Sequence, residues 1–197
     1  MPPQSRIHEL PVQLIRPKRF SDDRGWFSET WRKDRLAGQG IDSSFCQDNH
    51  SLSRHVGTLR GLHFQAPPHA QSKLVRCVAG SIWDVAVDLR AGSPTYGDWV
   101  GSTLSAENGD QLFIPVGFGH GFITLEPDSE VIYKVDDYYA PDCDGGIAWD
   151  DPDLALQWPL PDGGPILSDK DRLLPRLKSW DSPFPYDGRP LKRLPAA

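Results

Sequence analysis

Apolar and polar residues alternate in short runs along this chain, and few stretches keep the three-to-four-residue apolar spacing of a helix. The clearest run, Ser81-Ile82-Trp83-Asp84-Val85-Ala86-Val87-Asp88-Leu89, sets Trp83, Val85, Val87 and Leu89 on one face of a strand and Asp84, Ala86 and Asp88 on the other. Further strands are expected at residues 12–15, 45–50, 59–65, 73–78, 99–104, 111–114, 121–125 and 130–135. Helix is expected only at 29–37 and after Ser168, where Ser168-Asp169-Lys170-Asp171 offers an N-cap with acids in the first turn. Eighteen glycines and nineteen prolines punctuate these pieces, which is the pattern of an all-β sandwich or barrel with short flanking helices. Prolines crowd the chain from Trp158 onward, so its end reads as irregular wrapping and a loose tail.

A length of 197 residues fits one domain, read as residues 1–175, followed by a proline-rich extension at 176–197. The net charge of -6 argues against a nucleic-acid surface, which needs clustered lysine and arginine over a broad face. A small anion is compatible with it, since Arg24, Arg60, Lys73 and Lys170 could together neutralise one diphosphate. Cys46, Cys77 and Cys143 are odd in number and form no Cys-x-x-Cys pair, so neither a disulfide framework nor a zinc knuckle is expected. Residues 1–20 lack the apolar core of a signal peptide and no later run approaches a membrane span. The expectation is a soluble cytoplasmic protein with no membrane partner.

Candidate chemistry concentrates in Leu59-Arg60-Gly61-Leu62-His63-Phe64-Gln65 and Lys73-Leu74-Val75-Arg76. Strict alternation puts Leu59, Gly61, His63 and Gln65 on one side, with Gly61 leaving space beside the imidazole. His63 there is either a general base, with Lys73 near an anion or developing oxyanion, or a core histidine bonded to backbone. His120 follows a Pro-x-Gly turn in Ile114-Pro115-Val116-Gly117-Phe118-Gly119-His120. Two such histidines raise the thought of a metal-binding cupin. The usual His-x-His pair is absent, because His63-Phe64-Gln65 stands in its place, and no catalytic metal is expected. Tyr133 in Val131-Ile132-Tyr133-Lys134-Val135 is either a proton donor facing the same interior or a core tyrosine with a satisfied hydroxyl. Tyr138-Tyr139 suits stacking on a base or simple packing.

Taken in order, Asp22-Asp23-Arg24-Gly25-Trp26-Phe27-Ser28-Glu29, Gln47-Asp48-Asn49-His50-Ser51, Leu59–Gln65, Lys73-Leu74-Val75-Arg76, Asp84-Val85-Ala86-Val87-Asp88-Leu89-Arg90, Ser93-Pro94-Thr95-Tyr96-Gly97, residues 115–122, Tyr133-Lys134, Tyr138-Tyr139, Gly146-Ile147-Ala148-Trp149 and Leu167-Ser168-Asp169-Lys170-Asp171 resemble the dTDP-4-dehydrorhamnose 3,5-epimerase family of metal-free cupins. The resemblance runs from about Leu10 to Pro175. It implies a cupin jelly roll, or double-stranded β-helix, that forms a homodimer and inverts C3 and C5 of dTDP-4-dehydro-6-deoxy-D-glucose without a cofactor.

Family roles fall on matching positions. The resemblance implies that His63 is the base, Asp171 the acid that orients it, Tyr133 the proton donor on the opposite sugar face and Lys73 the cation near the enolate oxygen. It places Arg24, Glu29, Gln47, Asp48, Asn49, Arg60, His120, Asp144 and Lys170 at ligand-binding positions and Tyr139 against the thymine. Asp84 is an alternative partner for His63, read from the residues alone. Two departures stand out: Asp144 where the family more often carries glutamate, and a tail that is longer than expected and serves either as a wrapping segment or for a different partner. A single-position epimerase or isomerase of a dTDP-4-keto sugar would use nearly the same residues, and so, without turnover, would a sugar-nucleotide binding cupin.

Overall fold

The computed structural model describes residues 11–194, in which twelve strands and two short helices are found. The strands are β1 (Gln13–Ile15), β2 (Arg19–Asp22), β3 (Gly25–Ser28), β4 (Gln47–Ser53), β5 (Leu59–Gln65), β6 (Lys73–Ala79), β7 (Ser81–Asp88), β8 (Trp99–Ser105), β9 (Gln111–Ile114), β10 (Phe118–Thr124), β11 (Ser129–Val135) and β12 (Asp144–Gly146). The helices are α1 (Lys33–Ala37) and α2 (Asp169–Arg172). Residues 1–10, among them Leu10 where the resemblance begins, and residues 195–197 at the end of the tail lie outside the described part.

Two five-stranded antiparallel sheets, ordered β1-β9-β6-β11-β4 and β12-β5-β10-β7-β8, pack face to face as a jelly roll, with β2 and β3 forming a separate hairpin. Val75, Leu112, Ile114 and Val131 from the first sheet meet Ile82, Ala86, Leu104 and Phe122 from the second in a shared core. Apart from the small Ala86, each such side chain contributes roughly 1.5–3 kcal/mol by leaving water. Ile15, Leu74 and Phe113 cover the outer face of the first sheet together with Leu36 of α1. The expected helix at 29–37 is thus a single turn, and Glu29 precedes it.

Strand β7 carries the alternation read from sequence, with the row of Asp84 and Ala86 toward the opposing sheet. Val85, Val87 and Leu89 face away from the opposing sheet and pack with Leu62, Phe64, Leu154, Leu177 and Phe184. Ile82 and Ala86 share the inter-sheet face with Asp84. Both faces are buried because the chain beyond Pro175 lies over the outer one: Phe184 is buried, Ala91 bridges to Pro185, and Arg90 Nη1 donates to Asp187 Oδ1 at 2.6 Å. Of the irregular wrapping and loose end expected of the tail, the structure shows wrapping through Leu194, a packed cover. No helix among the described residues is long and apolar enough to cross a membrane.

Candidate active site

Strand β5 departs from the strict alternation assumed for it. Arg60 pairs with Phe122 and His63 with His120, so one extra residue on β5 forms a bulge opposite Gly121. Gly61 makes this possible. Its φ is +136°, and a Cβ there would lie 2.6 Å from the Gly121 Cα. The bulge turns Arg60 and His63 to the same side, while Leu62 and Phe64 pack outward.

His63 Nε2 lies 2.5 Å from Asp171 Oδ1. Asp171 is fixed in turn by Ser168, the N-cap of α2: Ser168 Oγ accepts from the Asp171 amide at 3.1 Å and donates to Asp171 Oδ2 at 2.8 Å. Burial works against the Asp171 carboxylate, but the bonds and charge of His63, then Ser168 and Lys170, hold its pKa below the ordinary value. Asp84 is not the partner of His63. It is fully buried on β7, and its Oδ2 accepts from His120 Nε2 at 2.8 Å. Burial raises the Asp84 pKa and lowers that of His120, and each partner partly offsets the shift of the other.

Tyr133, on β11 of the opposing sheet, faces this pair across a cleft. Burial raises its phenol pKa, with Arg60 acting against that shift. Lys73, from β6 beside it, is nine-tenths buried and has no hydrogen bond or ion pair with any described residue. Burial lowers its pKa to about 8 against the pull of Asp144 and Asp84.

The cleft has two connected parts of about 240 and 230 Å3 that share His63, Lys73, Tyr133 and Lys170. Arg60, His120 and Asp171 line the inner part, and Gln47, Asn49, Tyr139 and Asp144 line the outer part. Asp144 Oδ2 accepts from Lys170 Nζ and, at 3.1 Å, from the exposed Tyr139 hydroxyl. Gln65, which carried no assigned role, anchors the Tyr139 loop: its Nε2 donates to the Tyr138 carbonyl at 3.0 Å and its Oε1 accepts from the Ala140 amide at 2.9 Å. Its place two residues after His63 was the available signal.

Three expected ligand positions do not line the cleft. Arg24 sits at the exposed tip of the β2–β3 hairpin paired with Asp22, Glu29 pairs with Arg32 and Arg35, and Asp48 pairs with Lys134 Nζ at 2.8 Å on the outward face of β4. A larger groove of about 630 Å3, between β8 and the chain end, contains no histidine. Among the described residues no three His, Cys, Asp or Glu side chains gather as a metal site.

A base held by an acid, a phenol on the opposing wall and a desolvated ammonium in the same cleft can move protons on both faces of one small ligand. Comparison with known proteins points the same way. A family model described as dTDP-4-dehydrorhamnose 3,5-epimerase matches residues 7–179. The chain is 50% identical over 175 residues to the dTDP-4-dehydrorhamnose 3,5-epimerase of Sinorhizobium fredii, covering 89% of each chain. It resembles the Legionella pneumophila dTDP-6-deoxy-D-glucose-3,5-epimerase solved with dTDP-4-keto-L-rhamnose, with TM-score 0.86, 43% identity and coverage of 90% of this chain and 95% of that one. It also resembles a 3'-monoepimerase from Streptomyces bikiniensis solved with dTDP-quinovose, with TM-score 0.80, 34% identity and coverage of 86% and 85%.

Proposed function

This chain belongs to the dTDP-4-dehydrorhamnose 3,5-epimerase family, and from that premise we propose how its cleft carries out the reaction. It is an isomerase of dTDP-L-rhamnose biosynthesis that epimerises dTDP-4-dehydro-6-deoxy-D-glucose at C3 and C5 to dTDP-4-dehydro-L-rhamnose. Both carbons flank the C4 ketone, so loss of either proton gives an enolate with its charge on one oxygen, and one cation can serve both steps.

The observation that carries the assignment of roles is the opposition of His63 and Tyr133 on facing sheets, with Lys73 lining the same cleft from the strand beside Tyr133. His63 removes the proton, and Asp171 stabilises the imidazolium. Lys73 meets the developing oxyanion, having no protein partner to leave. Tyr133 returns a proton from the other wall, which inverts the centre. Arg60 and Lys170 neutralise the diphosphate and Tyr139 stacks on the thymine.

Arg24 and Glu29 join the site if a second copy of the chain brings its hairpin to this cleft. The exposed Phe20, Trp26 and Phe27 on that hairpin support such a homodimer. Proton NMR of the product formed from dTDP-4-dehydro-6-deoxy-D-glucose tests the reading: inversion at both carbons supports it, and inversion at one identifies a single-position epimerase.

A further inference from the structure

Asp84 lies in the middle of β7 with no exposed surface. Its Oδ2 is taken by His120 Nε2 at 2.8 Å, whereas Oδ1 is buried with no hydrogen-bond partner. Leaving a carboxylate oxygen unpaired in the interior costs stability. Packing does not ask for it, because Ile82 and Ala86 on the same face are ordinary members of the apolar core.

The charges around Lys73 supply a reason. Arg60, Lys170 and the imidazoles of His63 and His120 face the same space as its ammonium, and Tyr133 adds a neutral phenol. Three acids stand against them. Asp171 is held by His63 and Ser168, and Asp144 by Lys170 and Tyr139. Asp84 is the one whose unpaired oxygen is buried, and its charge, together with that of Asp144, favours the protonated form of Lys73. His120 Nδ1 has no protein partner among the described residues, so the ring is gripped at Nε2 alone, with its other edge toward the cleft.

We propose that Asp84 is a positioning residue for enolate formation: it holds the His120 ring toward the sugar, and its buried charge keeps Lys73 an ammonium ion while the C4 oxygen turns negative. The inference rests on the epimerase reading and extends it. Asp84 touches no substrate; it acts through the two groups that do. The unpaired oxygen is the consequence of placing a negative charge beside Lys73 without neutralising that lysine in a direct ion pair.

Asp84→Asn tests this, since an amide oxygen can still accept from His120 Nε2 while the charge is gone. Wild type and variant are assayed with dTDP-4-dehydro-6-deoxy-D-glucose from about pH 6 to about pH 10. The expected result is a basic limb of kcat/KM displaced downward by roughly one pH unit, with dTDP affinity unchanged. A uniform loss of kcat with the limb in place would mean that Asp84 is structural only and overturn the proposal. Wild type that fails to turn over would instead refute the epimerase reading. Should the variant not fold, the carboxyl 13C resonance of Asp84 in the wild-type protein decides: ionised at neutral pH supports the proposal, protonated overturns it.

Discussion

His63 Nε2 and Asp171 Oδ1 lie 2.5 Å apart although 108 residues separate them along the chain. The contact depends on a three-residue capping arrangement, because Ser168 starts α2 and holds Asp171 by both its amide and its carboxylate. Removing the charge should strand the imidazolium. Asp171→Asn is expected to lower kcat by a factor of about 10^2 to 10^4, and His63→Ala to abolish turnover, both with near-native dTDP affinity by calorimetry. Near-native turnover in a folded His63→Ala variant would remove His63 from the mechanism.

Lys73 makes a prediction about stability as well as activity. Its pKa in the folded protein is about 8, below the ordinary lysine value, so the unfolded chain binds more protons above that point and stability rises with pH from about 8 toward the ordinary value. Below about pH 8 the full cost of the buried charge is present. Lys73→Met should therefore stabilise the fold at neutral pH, by on the order of 3 kcal/mol at most, while turnover is lost. Urea denaturation at several pH values measures both the gain and its disappearance at high pH.

Most strand positions along the chain were legible, because short alternating runs bounded by glycine and proline leave few other readings. Which face of a strand is inside was legible only from its polar residues, as with Asp84 turned toward the ligand interior. In β7 the apolar row of Val85, Val87 and Leu89 looks like the core side, yet it faces the C-terminal cover and the acid row faces the cleft. Alternation gives two faces and cannot rank them when both are buried. The bulge that aligns Arg60 with His63 was hidden for a similar reason, since pairing with β10 sets it and no local pattern announces it. The Ser168 cap was legible as a local motif. Its effect on His63 was not, and neither was the pairing of Asp84 with His120, because both depend on contacts between distant segments.

The C-terminal cover makes its own prediction. Phe184 packs against Phe64 with ring centroids 5.5 Å apart and is buried beside the bound Arg90. Phe184→Ala should destabilise the protein by about 3–5 kcal/mol, read as a lower denaturation midpoint, with kcat preserved where the variant remains folded. An unchanged midpoint would mean that the cover contributes little.

Metal independence follows from the donor set. With Phe64 and Gln65 following His63, and with His63 and His120 each engaged by its own carboxylate, exhaustive EDTA treatment should leave activity intact. Loss that one divalent metal specifically restores would contradict this.

The most direct test of the central claim follows the protons themselves. If His63 and Tyr133 serve both centres from opposing walls, each proton removed is exchanged with solvent, and turnover in D2O should place deuterium at both C3 and C5 of the sugar. Tyr133→Phe should still exchange deuterium while forming inverted product more slowly, since abstraction persists and delivery fails. Deuterium at both carbons in the wild-type product, with exchange outrunning inversion in Tyr133→Phe, is the result this account predicts. Incorporation at a single carbon, or equal loss of exchange and inversion in the variant, would contradict it.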